Sequence, residues 1–104
     1  MARDIETVPL TGTAAQVEWA RRIRRQVDGE FDRVAAALRS AGKQGTDAEA
    51  AIAILEDKRT EVMKSEQAGY FIHDWQEIGD QVRRMILHDT RYQAIKSNRA
   101  ARRH

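Results

Sequence analysis

Thr11-Gly12-Thr13-Ala14-Ala15-Gln16-Val17-Glu18-Trp19-Ala20-Arg21-Arg22-Ile23-Arg24 opens a long helix, and its reading decides the fold. Thr13 and Gln16 stand at the S/T-x-x-E/Q spacing of a capping box, in which hydroxyl and amide satisfy orphan backbone donors reciprocally. Gly12 permits the sharp turn into the helix. Downstream, Ala20, Ile23, Val27, Phe31, Val34 and Leu38 recur at steps of three and four, an apolar stripe kept for about five turns. Gly42 and Gly45 end it, so the spacing predicts a helix over 14–41. Gly29 is a weak point within it, costing about 1 kcal/mol relative to alanine. Such a stripe needs partner helices or a second copy of the chain to cover it.

Further along, Thr46-x-x-Glu49 has the spacing of a second capping box and predicts a helix over 47–65 with Ala51, Ile52, Leu55, Val62 and Met63 inward. A third helical region carries Phe71, Ile72, Trp75, Ile78, Val82, Met85 and Ile86, with Gly69 and Gly79 as expected breaks. Asp89 or Thr90 is placed to cap a short final helix through Ile95, with tail from Asn98 onward. Strand evidence is confined to the alternation of Ile5–Leu10, which Pro9 interrupts and which has no partner strand. The expectation is an all-α fold, a small three- to four-helix bundle with a long first helix. Residues 1–12 would form an N-terminal arm, 13–88 the helical domain and 89–104 a basic tail with a short helix. The expected core is led by Ile23, Val27, Phe31, Leu38, Leu55, Trp75, Ile78 and Val82.

A chain of 104 residues is long enough for one core, and 33% of its residues are charged. It contains no cysteine, which excludes disulfides, thiol catalysis and cysteine-ligated zinc. No apolar run approaches the roughly 18 residues that span a bilayer, and Met1-Ala2-Arg3-Asp4 begins no apolar signal segment. A cytoplasmic protein with no membrane partner is expected.

The net charge of +2 hides an asymmetry: residues 1–88 hold 13 basic and 15 acidic side chains, residues 89–104 five basic and one acidic. Arg91, Lys96, Arg99, Arg102 and Arg103 therefore give the C-terminal segment its charge, suited to phosphates or to an acidic protein surface. A second cationic group is Arg21, Arg22, Arg24 and Arg25. At 100° per residue these four fan over about 160°, centred opposite Ile23. Guanidinium forks suit carboxylate or phosphate recognition, whereas the plainer alternative is a solvated face paired with Glu18 and Asp28. Trp19 borders stripe and basic face, where core or edge packing is expected, with base stacking as a minor alternative.

The pattern Thr11-Gly12-Thr13-x-x-Gln16-x-x-Trp19-Ala20-x-x-Ile23-Arg24 resembles the T-G-[ST]-x-x-Q-x-x-W-A-x-x-I-R opening of small, mostly uncharacterised proteins of phages, plasmids and other bacterial mobile elements. Tyr70-Phe71-Ile72-His73-Asp74-Trp75 loosely resembles a later aromatic-aromatic-Ile-Asp segment of those proteins, departing by His73 before Asp74. The basic extension after residue 88 is a further departure. The resemblance implies a mobile-element accessory protein, with an anti-CRISPR-type inhibitor of a host defence complex as a special case.

Catalytic constellations are hard to assemble. Gly42-Lys43-Gln44-Gly45 has the GXXG spacing of the KH backbone clamp, but that fold needs a three-stranded sheet. Gln44 stands where a phosphate-binding P-loop requires Ser or Thr. As a recognition helix, 47–57 would carry Asp47, Glu49, Glu56 and Asp57 toward phosphates, the wrong sign. His73, Asp74 and Glu77 share a helix face but no second cluster completes a metal site. Ser40, Ser65 and Ser97 sit in no nucleophile turn. The expectation is a non-enzyme without cofactor or metal. Its partner would be a protein or ribonucleoprotein complex, with nucleic acid held through phosphate contacts as the alternative and a homodimer as a third arrangement.

Overall fold

In the computed structural model, which describes residues 9–41 and 45–102, the chain is all-α with five helices. They are α1 (Ala14–Ala41), α2 (Gly45–Met63), α3 (Ala68–Asp74), α4 (Ile78–Leu87) and α5 (Thr90–Arg102). The loop Gly42–Gln44, most of the N-terminal arm (1–8) and Arg103 lie outside the described residues.

The capping box forms as spelled: the Thr13 amide donates to Gln16 Oε1 at 3.0 Å and the Gln16 amide to Thr13 Oγ1 at 3.2 Å. The short segment before it is stitched to the α2–α3 link. The Thr11 amide donates to the Glu66 carbonyl at 2.6 Å, and the Ala68 amide to the Thr11 carbonyl at 3.1 Å. This isolated bridge is the only strand-like pairing among the described residues. Gly12 is needed there: its φ is +150°, and a Cβ would meet Gln16 Oε1 at 3.1 Å and the Ala68 Cβ at 3.2 Å.

Helix α1 is the spine. It packs against α2, α3 and α4, while α5 lies across α2 and α4. The body measures 57 × 28 × 17 Å, a thickness of about two helix layers, since packed axes lie roughly 8–10 Å apart. One face of α1 therefore meets the other helices and the opposite face is left to solvent. Ala20, Val27, Phe31 and Ala35 of that inner face join Leu55, Val62, Phe71, Trp75, Val82 and Ile86 in one core. Ile23, Leu38 and Ile78, expected at the centre, are half-buried at its margin.

Four expectations need correction. Among the described residues there are five helices rather than three or four. The third helical region breaks at Trp75–Glu77, and both Gly69 and Gly79 lie within first turns of α3 and α4. The break is fixed by polar stapling: Gln81 donates through Nε2 to the Asp74 carbonyl and accepts at Oε1 from the Glu77 amide at 2.8 Å. Trp75 leaves the helical region (φ −116°, ψ 63°) with its ring buried. In addition, α2 starts at Gly45, so Thr46 lies inside the helix instead of capping it. The final helix runs on to Arg102, well past Ile95.

Nothing lies within 4 Å of a Cβ built on Gly29, on the outer face of α1. Gly29→Ala is expected to stabilise the fold by about 1 kcal/mol, raising Tm by roughly 4–8 °C in thermal denaturation. Gly12→Ala is expected to lower it, because of the positive φ and the crowded Cβ.

Candidate macromolecule-binding face

Taking Ala20 as zero, 100° per residue places Val27, Phe31, Leu38 and Arg24 at about −20°, 20°, 0° and 40°. Arg24 thus belongs to the inward stripe, and its residue exposure is 1%. Its assignment to the cationic outer face is corrected: measured from Ile23 it looks lateral, but Ile23 itself lies on the stripe's edge. Arg24 stands one turn before Asp28, which is also buried.

The buried charge extends into α2 through Arg59. Its Nη1 reaches Asp28 Oδ1 at 3.3 Å and its Nη2 reaches Asp32 Oδ1 at 2.8 Å and Glu56 Oε1 at 3.4 Å. The Arg59 Cζ lies 5.6 Å from the Phe31 ring centroid, a cation–π placement. Arg24, Asp28 and Arg59 are therefore buried charges, which persist in dehydrated surroundings only with partners, and the exposed Asp32 reaches Arg59 from the rim. This cluster escaped sequence reasoning, although a signal existed. Arg59 sits between Leu55 and Val62 at the stripe positions of α2, and Asp28 follows Arg24 by four residues.

Arg21, Arg22 and Arg25 do come together. They occupy about 100°, 200° and 140° on the same wheel, and all three are exposed on the side facing away from the core. Trp19, at about 260°, is 56% exposed, so the expected edge packing is corrected as well. Ala14, Val17, Glu18, Arg21 and Arg25 line a shallow open depression at the start of α1. Glu18 is the acid on this patch, and α1 has no acidic residue in its first turn.

The C-terminal basic group is organised differently from expectation. Arg91 is an internal tie: its Nη1 reaches Asp57 Oδ2 at 2.9 Å and its Nη2 reaches Asp89 Oδ2 at 3.1 Å. Lys58 reaches the same Asp89 oxygen at 3.1 Å. The Arg91 hydrogen bond, aided by Lys58, holds the Asp89 carboxyl far below its ordinary range, and Asp89 with Asp57 holds Arg91 firmly protonated. Lys96 is exposed and lies over the Tyr92 ring at 5.9 Å. Arg99 and Arg102 follow on α5, their side chains outside the described residues.

His73 and Asp74 are exposed, and Glu77 pairs with Arg84 at 2.9 Å. Among the described residues no group of three or more His, Cys, Asp or Glu is placed to hold a metal ion. No described helix is long and apolar enough to cross a membrane. Comparison with protein-family models, curated proteins and solved structures found no match.

Removing one partner of a buried ion pair leaves its counter-charge undercompensated. Arg59→Met is expected to destabilise the fold by about 3–5 kcal/mol in urea denaturation. Arg33→Met, which removes an exposed partner of Glu30, should cost under about 1 kcal/mol.

Proposed function

We propose that the chain is a non-enzymatic accessory protein that binds a macromolecular surface through the outer face of α1. The observation that carries this reading is the clustering of Arg21, Arg22 and Arg25 beside Trp19, all exposed and directed away from the core. Arginine and tryptophan are the residue types that anchor protein interfaces, since each combines a large rigid contact area with directed hydrogen bonds. Three guanidiniums with one nearby acid favour a partner rich in carboxylates or phosphates.

The partner in this reading is a protein or ribonucleoprotein complex of a bacterial host, and the chain acts in the cytoplasm by covering its surface. The resemblance of the α1 opening to mobile-element proteins supports that context, with an anti-CRISPR-type inhibitor as its special case. Nucleic acid alone is the weaker alternative. Arg91 is tied to Asp57 and Asp89 and Arg24 is in the core, which removes two of the cations on which counterion release would draw.

The test is capture from bacterial lysate by the tagged chain, with and without nuclease. Bound protein is expected to survive nuclease. The triple variant Arg21→Glu/Arg22→Glu/Arg25→Glu is expected to lose it while keeping its helical circular dichroism. Capture retained by that variant would remove the α1 face from the account, and partners lost on nuclease treatment would favour phosphate binding.

A further inference from the structure

We infer that α5 is a strap latched by surface ion pairs, which releases from α2 and α4 while the remainder of the fold stays intact. Its apolar grip is slight. Of residues 90–98, Tyr92 and Ile95 pack against the core, and both remain half-buried; none of the nine is fully buried. Helix α4, by contrast, sinks Val82 and Ile86 into the core.

What holds α5 in place is charge. Arg91 bridges Asp57 of α2 and Asp89 of the α4–α5 link, and Lys58 of α2 bonds to Asp89 from the other side. These residues form one cluster of two cations and two anions tying three elements together. Asp89 has a second role: its Oδ1 accepts the Arg91 amide at 2.8 Å, so it also caps the first turn of α5.

Solvent reaches the outer pair of this cluster and not the inner pair of the α1–α2 seam. The Arg91 and Asp57 side chains are 51% and 67% exposed and Lys58 is 32% exposed, around an Asp89 carboxylate that is itself 7% exposed; Arg59 and Asp28 are 7% and 9% exposed beneath Asp32 and Glu56, each 48% exposed. Salt weakens exposed pairs and leaves dehydrated ones largely untouched, because the Debye length falls to about 3 Å at 1 M ionic strength. Raising salt therefore loosens the strap before it touches the core. Release would uncover the apolar surface of α2 and α4 that Tyr92 and Ile95 cover.

The lack of native cysteine makes a direct test available. Ile95→Cys places a thiol under the strap and Ala35→Cys places one in the core, in separate chains. Each is combined with the pair Asp57→Asn and Asp89→Asn. Asparagine keeps the cap acceptor for the Arg91 amide and removes only the charge. Thiol labelling of Ile95→Cys is expected to speed up by roughly fivefold or more in the neutralised chain, or on going to about 1 M NaCl, as exposed pairs are lost. Labelling of Ala35→Cys should stay unchanged under the same conditions. Amide exchange in the chain with Ile95 intact should show the same split between α5 and α1. Rates that rise together would mean that α5 belongs to the cooperative core, and an unchanged Ile95→Cys rate would mean that the ion pairs do not hold it; either overturns the strap.

Discussion

The bridge from Arg59 of α2 to Asp28 and Asp32 of α1, laid over the Phe31 ring, sets the register of the two longest helices. Everything else is arranged around α1, which α2, α3 and α4 all contact. A buried pair of this kind contributes little compared with a well-packed apolar isostere, because dehydration offsets most of the attraction. Its effect lies in what it forbids. If α2 slid by one turn along α1, Arg59 would lose both aspartates and keep only Glu56 of its own helix, so competing registers are penalised far more than the native one is rewarded. The apolar seam alone, rich in alanine at Ala35, Ala48 and Ala51, discriminates weakly between such registers.

That constraint also sorts the arginines of α1. Four stand within five residues, yet their fates diverge with their angles on the helix. Arg24 enters the core, while Arg21, Arg22 and Arg25 stay on the open side with Trp19. The buried cation and the exposed ones are thus neighbours in sequence and opposites in space. The same division recurs at the C-terminus, where Arg91 is structural and Lys96 faces solvent. Net charge therefore overstates the positive surface available for binding.

How much of this was legible follows from the kind of signal involved. The limits of α1 were readable because a capping box and terminal glycines act locally, and both are written in adjacent residues. The all-α character followed from periodicity in the same way. That the third region would split was readable from its glycines; the place of the break at Trp75–Glu77 was not, since it depends on Gln81 reaching back across the turn to Asp74 and Glu77, a side-chain bond that no local propensity announces. Nor was the burial of Arg24. A charged residue was assumed to point outward, although its angle to Ala20 and Phe31 placed it inside, and Asp28 and Arg59 completed the signal. The extension of α5 to Arg102 went unseen because the basic run after Ile95 was read as tail, although residues 96–102 contain no glycine or proline to end a helix.

The two faces of α1 can be compared directly by urea unfolding of two single variants, Arg22→Glu and Arg24→Glu, two residues apart. The account expects Arg22→Glu to unfold within about 0.5 kcal/mol of the parent chain, as an exposed substitution should. It expects Arg24→Glu to lose several kcal/mol or fail to fold, since the reversed charge would stand buried one turn from Asp28. Equal stability of the two variants would contradict the division of α1 into a buried structural face and an open one.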